Sequence, residues 1–421
     1  MSKWQQVKLG ELYDVHNGLS KSRDAFGSGY PFLSFSEVFN NYFLPQELKQ
    51  LVESTQKEQD SYSIHRGDVF ITRTSETMDE LGMSCVALHD YPNATYNGFT
   101  KRLRPKYPDR VLPEYIGYFL RTPLFRSKFV AFSTMTTRAS LRNEDLLTME
   151  VTLPPIEVQR KIADVLSAYD DLIENNRKQI KLLEEAAQRL YKEWFIDLRF
   201  PGHETTPIID GIPAGWEKKT VEDFLIFHAN GGWGKEAPMG KCVNIGKVIR
   251  GTDIDPIKQS GDVDNIPTRF HSDLDIKNKK LLPNDIVFEL SNGNLNNIGR
   301  SLLLNDTLLE QCWMDTICAS FCKLLRAKNR YHAILLFMEI QDMQSSGRMV
   351  PFKKHGANGI NNFDFESFLS HHLLYTSNTD LLCHFDTIMQ KIDILRLDIK
   401  NATETRNRLL PKLMTGKLEV K

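Results

Sequence analysis

No window of the 421-residue chain approaches eighteen consecutive apolar residues, so no membrane-spanning helix is expected. The opening "MSKWQQVKLG" lacks the apolar core of a secretory signal and leads straight into a domain, which predicts a cytoplasmic protein. The six cysteines (Cys85, Cys242, Cys312, Cys318, Cys322 and Cys383) form no CxxC pair. The spacing of Cys312, Cys318 and Cys322 fits neither a zinc knuckle nor a disulfide framework, so reduced thiols packed in a core are expected and no metal. There is no GxxxxGK[ST] loop: "GGWGKEA" at Gly231 places Lys-Glu where a hydroxyl should hold a phosphate-bound magnesium. No DPPY- or NPPY-like stretch, no HExxH, and no acidic pair followed by a spaced Glu-x-Lys occurs. "LPPI" at Leu153 has no polar residue where a catalytic one belongs. The chain thus carries no familiar machinery for nucleotide hydrolysis, base methylation or nuclease chemistry, and low-complexity segments are also lacking.

Excess basic charge is missing too. The net charge is −1 and the isoelectric point about 6.8, which argues against a protein that grips nucleic acid alone. Yet the basic residues are unevenly spread. Between Glu114 and Glu144 there is no acid, while Arg121, Arg126, Lys128, Arg138 and Arg142 all fall there, with "KRLR" at Lys101 to Arg104 just upstream. A solvated helix face would give the same run.

What the chain does have is a long seam. Ile162, Leu166, Tyr169, Ile173, Asn176, Ile180, Leu183, Ala187, Leu190 and Trp194 follow strictly alternating steps of four and three, and only Asn176 is polar. Such a heptad buries a narrow stripe against another helix. "LPP" at Leu153 to Pro155 supplies the start signal and "FPG" at Phe200 to Gly202 the stop. Adding 219 to each position gives Leu381, Phe385, Ile388, Ile392, Leu395, Ile399, Ala402, Arg406, Leu409 and Leu413, of which only Arg406 is polar. The seam is repeated in register.

The flanking regions echo each other more faintly. "WQQVKLGELYDVHNG" from Trp4 is matched by "WEKKTVEDFLIFHANGG" from Trp216, and "RGDVFITRTSE" from Arg66 by "PNDIVFELSNG" from Pro283. Gly82 matches Gly299, and "LRNEDL" from Leu141 matches "INNFDF" from Ile360. Small loop insertions between two copies of one domain would leave such drifting offsets. Each copy reads as mixed α/β: "DVFITR" and "DIVFEL" as half-buried strands, "PEYIGYFLRTPLFRSKFVAF" and "YHAILLFMEIQDM" as helical. The expected organisation is a first domain over 1–152, a long helix over 153–200, a second domain over 201–376 and a second long helix over 377–421. A helix of about 35 residues is about 50 Å long, whereas a compact domain of about 180 residues is roughly 40 Å across. Parallel helices would force the second domain to bridge the whole helix. The predicted fold class is therefore α+β: two similar mixed α/β domains joined by two long helices in an antiparallel coiled coil, related by a pseudo-two-fold. Paired heads on a spacer are a design that nucleic-acid readers use for half-sites, and here a spacer of no more than about 15 base pairs is implied.

"LPPIEVQRKIADVLSAYDDLIENNRKQIKLLEEAAQRLYKEWF" (Leu153 to Phe195) resembles the central conserved region of the specificity subunits of type I restriction–modification enzymes, and "RNRLLPKLMTGKLEV" (Arg406 to Val420) the distal conserved region. "GDVFITRTSE" and "NDIVFELSNG" resemble a strand of that family's target-recognition domains. "YTSNTDLLCHF" departs from the usual "LPPLxEQ" pattern before the second helix. The resemblance implies a non-catalytic subunit that reads a bipartite, asymmetric site in double-stranded DNA, one half per domain, with the coiled coil as ruler. It implies two methyltransferase subunits as partners, using S-adenosylmethionine, and restriction/translocase subunits driven by ATP and Mg. No cofactor is expected in this chain. Base flipping and chemistry would belong to the partners.

Arg and Lys suit guanine in the major groove, and Asn suits adenine. The polar loops after apolar segments nominate Lys21, Ser22, Arg23, Arg73, Thr74, Ser75, Arg138 and Arg142 in the first domain. In the second they nominate Asn292, Asn294, Asn296, Arg348, Lys353, Lys354 and His355. Taken singly, each reads more readily as a solvated surface residue than as a base contact, so the sets carry more weight than their members, and His371 and His372 read as local packing or capping groups. A coiled-coil scaffold with two protein-binding heads, or an autonomous DNA-modifying enzyme, are the competing readings. If the partner subunits that the resemblance implies clamp the phosphates, the near-neutral charge of this chain is accounted for, since it then needs only base-edge contacts and local basic loops. The purified single chain is therefore expected to bind DNA feebly and the assembled complex tightly; nanomolar sequence-specific binding by the chain alone in a filter or anisotropy assay at physiological salt contradicts this.

Overall fold

The computed structural model describes residues 4–75, 81–132, 134–135, 139–356 and 359–420. It divides into two compact units, Met1–Asp171 with Thr403–Lys421, and Leu172–Ala402. The division does not follow the expected domain bounds, because it cuts both long helices.

The first helix runs over Ile156–Tyr191, continues as a π-helical stretch over Lys192–Ile196, and gives way to turns near Gly202. Pro154 and Pro155 precede it, where a missing N–H costs nothing. The second helix covers Thr379–Met414, the same length of 36 residues. The Asn378 side chain accepts from Asp380 N at 3.0 Å at its start, which replaces the proline signal that this segment lacks. The seam is buried largely as expected. Ile162, Leu166, Ile173, Ile180, Ala187 and Trp194 are buried on the first helix, with Tyr169, Leu183 and Leu190 half-buried. Leu381, Phe385, Ile392, Leu395, Ile399, Ala402 and Leu413 are buried on the second, with Ile388 and Leu409 half-buried.

Within each unit the helices run in opposite directions. In the first unit, Ile162 and Leu166 share a core with Leu410, Leu413 and Met414, and Asp170 accepts from Arg406. In the second, Glu184 pairs with Arg396 at 3.5 Å and Tyr191 meets Phe385 at 6.4 Å between ring centres, so one helix ascends as the other descends. The two polar members of the seams differ. Arg406 lies 5.3 Å over the Tyr42 ring, and its partner Asp170 also accepts from the Tyr118 hydroxyl at 2.5 Å. Asn176 is only 4% exposed and its amide nitrogen has no acceptor among the described residues, which costs about 1–3 kcal/mol.

The duplication appears as topology. The first unit holds an antiparallel sheet in the order Tyr13–Asn17, Thr100–Pro105, Val69–Thr72, Ser84–Val86. The second repeats it as Leu225–Asn230, Cys322–Ala327, Asp285–Glu289, Ser301–Leu303. A mixed sheet of Gln50–Val52, Phe26–Leu33 and Thr95–Tyr96 recurs as Thr268–Ser272, Cys242–Ile249 and Thr316–Cys318, with the last pair parallel in both. The ribbon Gln5–Lys8 with Glu150–Leu153 recurs as Trp216–Thr220 with His372–Thr376. A buried carboxylate braced by an arginine is also kept: Asp68 with Arg104 at 2.6 Å, and Asp285 with Arg326 at 2.8 Å.

Two local expectations are corrected. The strands Val69–Thr72 and Asp285–Glu289 are buried on both faces rather than half-buried, since helices or further strands cover each side. The stretch from Pro113 forms two helices, Pro113–Leu120 and Pro123–Phe132, because the proline at 123 bars the preceding residue from helical geometry. Among the described residues, no helix is long and apolar enough to cross a membrane. Cys85, Cys312, Cys318 and Cys322 are free and buried, Cys242 is half-buried and Cys383 exposed.

One polar knot ties the second unit's helix Arg330–Ser346 to the long helix. Glu339, 2% exposed, accepts from Tyr191 Oη at 2.8 Å and Arg348 Nη1 at 2.9 Å, and pairs with His371 Nε2 at 2.7 Å. Burial alone would push its carboxyl up, but the His371, Arg348 and Tyr191 bonds outweigh that and leave it lowered. A lowered carboxyl contributes stability that is complete above the free-glutamate value of 4.5 and is lost as pH falls through the lower folded value. Glu339→Ala is expected to cost the second unit about 1–3 kcal/mol in urea unfolding near neutral pH, because it leaves the buried Tyr191 hydroxyl without its acceptor while Arg348 keeps Asp342. The difference from wild type should shrink as the pH is taken below 4.5.

Candidate nucleic-acid interface

Candidate residues distant in sequence meet in one small sheet per unit. In the second unit, Ser291–Asn292, Asn361–Phe363 and Lys353–Lys354 form three strands, with Asn292 opposite Asn361 and Lys354 opposite Asn362. Asn292, Lys353 and Lys354 thus come together. The first unit repeats the sheet with Thr74–Ser75, Ala139–Ser140 and Thr134–Met135. Thr74 and Ser75 are therefore paired to the strand that lies between Arg138 and Arg142; Arg138 itself lies outside the described residues.

The side chains of this sheet in the second unit are largely engaged. Asn292 Nδ2 donates to Glu289 Oε1 at 2.7 Å, and its oxygen accepts from Asn294 N at 2.7 Å. The Asn294 oxygen accepts from Asn296 N at 3.0 Å. These successive amide-to-backbone bonds hold an Asn-rich loop in one shape, which leaves Asn296 exposed. Lys353 Nζ donates to Leu295 O at 3.2 Å, and burial lowers its pKa. Lys354 pairs with Asp364 at 2.6 Å, and His355 meets Asn361 at 3.0 Å. Arg348 stands apart, bound to Glu339 and Asp342. In the first unit, Lys21 pairs with Glu58 at 2.7 Å and holds that carboxyl down to about 2, while Arg23 and Arg142 are exposed. Arg73 occupies the crossover between sheets: its N–H donates to Phe99 O at 3.0 Å and its carbonyl accepts from Leu141 N at 3.1 Å.

A cleft of about 600 Å³ opens beside the sheet in the second unit, lined by Trp233, Arg250, Glu289, Asn292, Phe321 and Ile360 among others. Glu289 is buried and neutralised by Arg300 at 2.8 Å, so the cleft presents no free carboxylate there to repel a polyanion. Among the described residues no group of His, Cys, Asp or Glu is placed to hold a metal ion.

Each unit also buries a lysine that sequence reasoning passed over or left in a basic run. Lys101 Nζ donates to Asn143 and, at 3.4 Å, to Asn17 Oδ1; burial, then nearby Arg73, lowers its pKa. Lys323 Nζ donates to Asn230 Oδ1 at 2.9 Å and lies 4.4 Å over the Phe365 ring, with burial lowering its pKa. Asn17 pairs with Lys101 across the strands as Asn230 does with Lys323. The signal was the shared Asn-Gly after each first strand, which neither periodicity nor charge scanning weighs. A Cβ on Gly18 would lie 2.0 Å from Asn97 O, and one on Gly231 2.1 Å from Ala319 O.

These backbone approaches leave no room for a side chain. Gly231→Ala is expected to displace the 319–322 turn and lower stability by roughly 1–3 kcal/mol. Gly293→Ala, with nothing within 4 Å of its added carbon, should change thermal unfolding far less.

Comparison with known proteins gives a consistent set of likenesses. A family model described as the type I restriction modification DNA specificity domain matches residues 1–185. The chain is 29% identical over 231 residues to the type I restriction enzyme MjaIX specificity subunit of Methanocaldococcus jannaschii, covering 53% of this chain and 51% of that protein. It is 28% identical to the HindI specificity subunit of Haemophilus influenzae, covering 47% and 42%, and 27% identical to the EcoKI specificity subunit of Escherichia coli, covering 39% and 36%. The aligned part spans about half the length of the first of these relatives and less of the others. The crystal structure of a type I restriction-modification system S subunit from M. genitalium superposes with a TM-score of 0.53 at 15% identity, covering 98% of this chain and 96% of that one. That likeness shows the fold.

Proposed function

We propose that the chain is a specificity subunit of a type I restriction-modification system and that it reads a bipartite, asymmetric site in double-stranded DNA, one half per domain. The observation that carries this reading is the repetition of one domain. The family match lies on residues 1–185, and the second unit repeats the first unit's sheets strand for strand. A single specificity domain reads one DNA element, so two diverged copies read two different ones. The scaffold reading with two protein-binding heads loses its support to the DNA-specificity match.

The paired helices serve as spacer and as part of the platform for two methyltransferase subunits, with restriction/translocase subunits joining to cut unmodified DNA. S-adenosylmethionine, ATP and Mg act on those partners, and this chain contributes recognition alone. Base contacts come from the small three-stranded sheets and their loops, through Arg73, Thr74, Ser75, Arg138 and Arg142 in one domain and Asn292, Asn294, Asn296, Lys353 and Lys354 in the other. Lys21 and Arg23 lie near enough in sequence to the first domain's turns to add phosphate contacts, whereas Arg348 acts by bracing the helix. Division of labour between phosphate and base contacts is general in such complexes.

Co-expression with a type I methyltransferase subunit from the same genome, followed by mapping of methylated adenines, tests the proposal. Replacing residues 201–376 by the corresponding domain of a relative should change one half of the methylated motif and leave the other intact. Methylation that is unchanged after both domains are replaced overturns it.

A further inference from the structure

We propose that Phe99 and Phe321 are duplicated aromatic contacts to DNA, each inserting its ring against a base step of the half-site that its own domain reads. The inference rests on the DNA-reading function proposed above and adds two residues that no family likeness assigns.

The two residues occupy the same place in the two copies. Arg73 N donates to Phe99 O at 3.0 Å, and Leu290 N donates to Phe321 O at 2.8 Å. Each phenylalanine sits in a turn closed by an equivalent bond, Thr100 N to Asn97 O at 3.0 Å and Cys322 N to Ala319 O at 2.8 Å. Each turn rests on a glycine that admits no side chain, and the residue after each turn leads into a lysine fixed to a strand-paired asparagine. In the first copy, Asn97 Oδ1 also accepts from Phe99 N at 2.7 Å. The turns are therefore rigid pedestals.

Their apolar load is not used inside the protein. Phe99 is 55% exposed and Phe321 58% exposed. A single exposed phenylalanine needs no explanation, but the same one on the same pedestal in two diverged domains does. In the second unit the Phe321 ring lines the cleft together with Asn292 and Ile360, so it adjoins the sheet where base contacts are proposed. The neighbouring crossover residues differ between copies, Arg73-Thr74-Ser75 against Leu290-Ser291-Asn292. A residue held constant beside side chains that vary suits a task common to both half-sites. Every base step offers an apolar face to a ring, whatever its sequence, and phenylalanine is among the side chains that wedge between steps.

The test uses the assembled complex of the full chain with its methyltransferase subunits and a duplex carrying the mapped site, with 2-aminopurine placed in one half or the other. Wild-type complex should raise the 2-aminopurine fluorescence in both halves. Phe99→Ala should abolish the rise in the half read by the first domain only, and Phe321→Ala in the other half only. Each should weaken binding about tenfold or more, with thermal unfolding unchanged because the rings are exposed, and Phe→Trp should restore the signal. Alanine variants that bind as tightly as wild type, or a wild type that leaves 2-aminopurine unchanged, overturn the contact while the DNA-reading function stands. Loss of methyltransferase co-purification in the alanine variants would assign the rings to a protein interface and likewise overturn it. A wild-type complex without any bipartite site overturns both proposals.

Discussion

Burial of one apolar stripe on each long helix is the constraint on which both units depend. The first domain does not close its core alone. In the first unit Ile162 and Leu166 come from the start of one helix and Leu410, Leu413 and Met414 from the end of the other, and all join a core that includes Leu9, Tyr115 and Val151. In the second, Phe385 meets Tyr191, Trp194 and Phe195. Each fully buried Ile or Leu contributes about 1.5–3 kcal/mol, so a helix that loses its partner loses much of what holds the adjoining domain. Arg406 and Asp170 add direction to this packing: a slip by one turn would leave both charges half-buried without each other.

Duplication followed by divergence explains what is held constant and what is not. The strand orders, the Asp68–Arg104 and Asp285–Arg326 pairs, and the lysines at 101 and 323 form a common chassis. The loops over the small sheets carry different polar groups. The Asn292–Asn294–Asn296 chain of bonds has its amides turned on its own backbone, whereas the first unit presents exposed arginine at 142 and a half-buried arginine at 73. Rigid loops of different chemistry on one scaffold are what reading two unlike sequences requires.

The parts of this architecture visible in the residues alone were those with a short period. The seam declared both helices and their pairing because steps of four and three survive without an alignment. The weak echoes at Trp216 and Pro283 were enough to expose the second copy. Burial on both faces of Val69–Thr72 was not visible, because a short apolar run looks alike whether one face is covered or two. The candidate site was legible only as a set. Asn292 and Asn361 meet across 69 residues of chain, and no local rule predicts that pairing. Nor could composition show that the Arg348 guanidinium would be held by Glu339 and Asp342. Phe99 and Phe321 escaped notice because an aromatic residue in a strand-like stretch reads as core until its exposure is known.

The first unit is made from both ends of the chain, Met1–Asp171 and Thr403–Lys421, whereas the second is continuous. During synthesis the ribosome therefore delivers every residue of the second unit before the first can be finished. At ordinary elongation rates the amino-terminal domain waits on the order of tens of seconds with part of its apolar core uncapped. The domain born first is the one completed last, and in that interval the growing polypeptide is most open to misassociation and to chaperones.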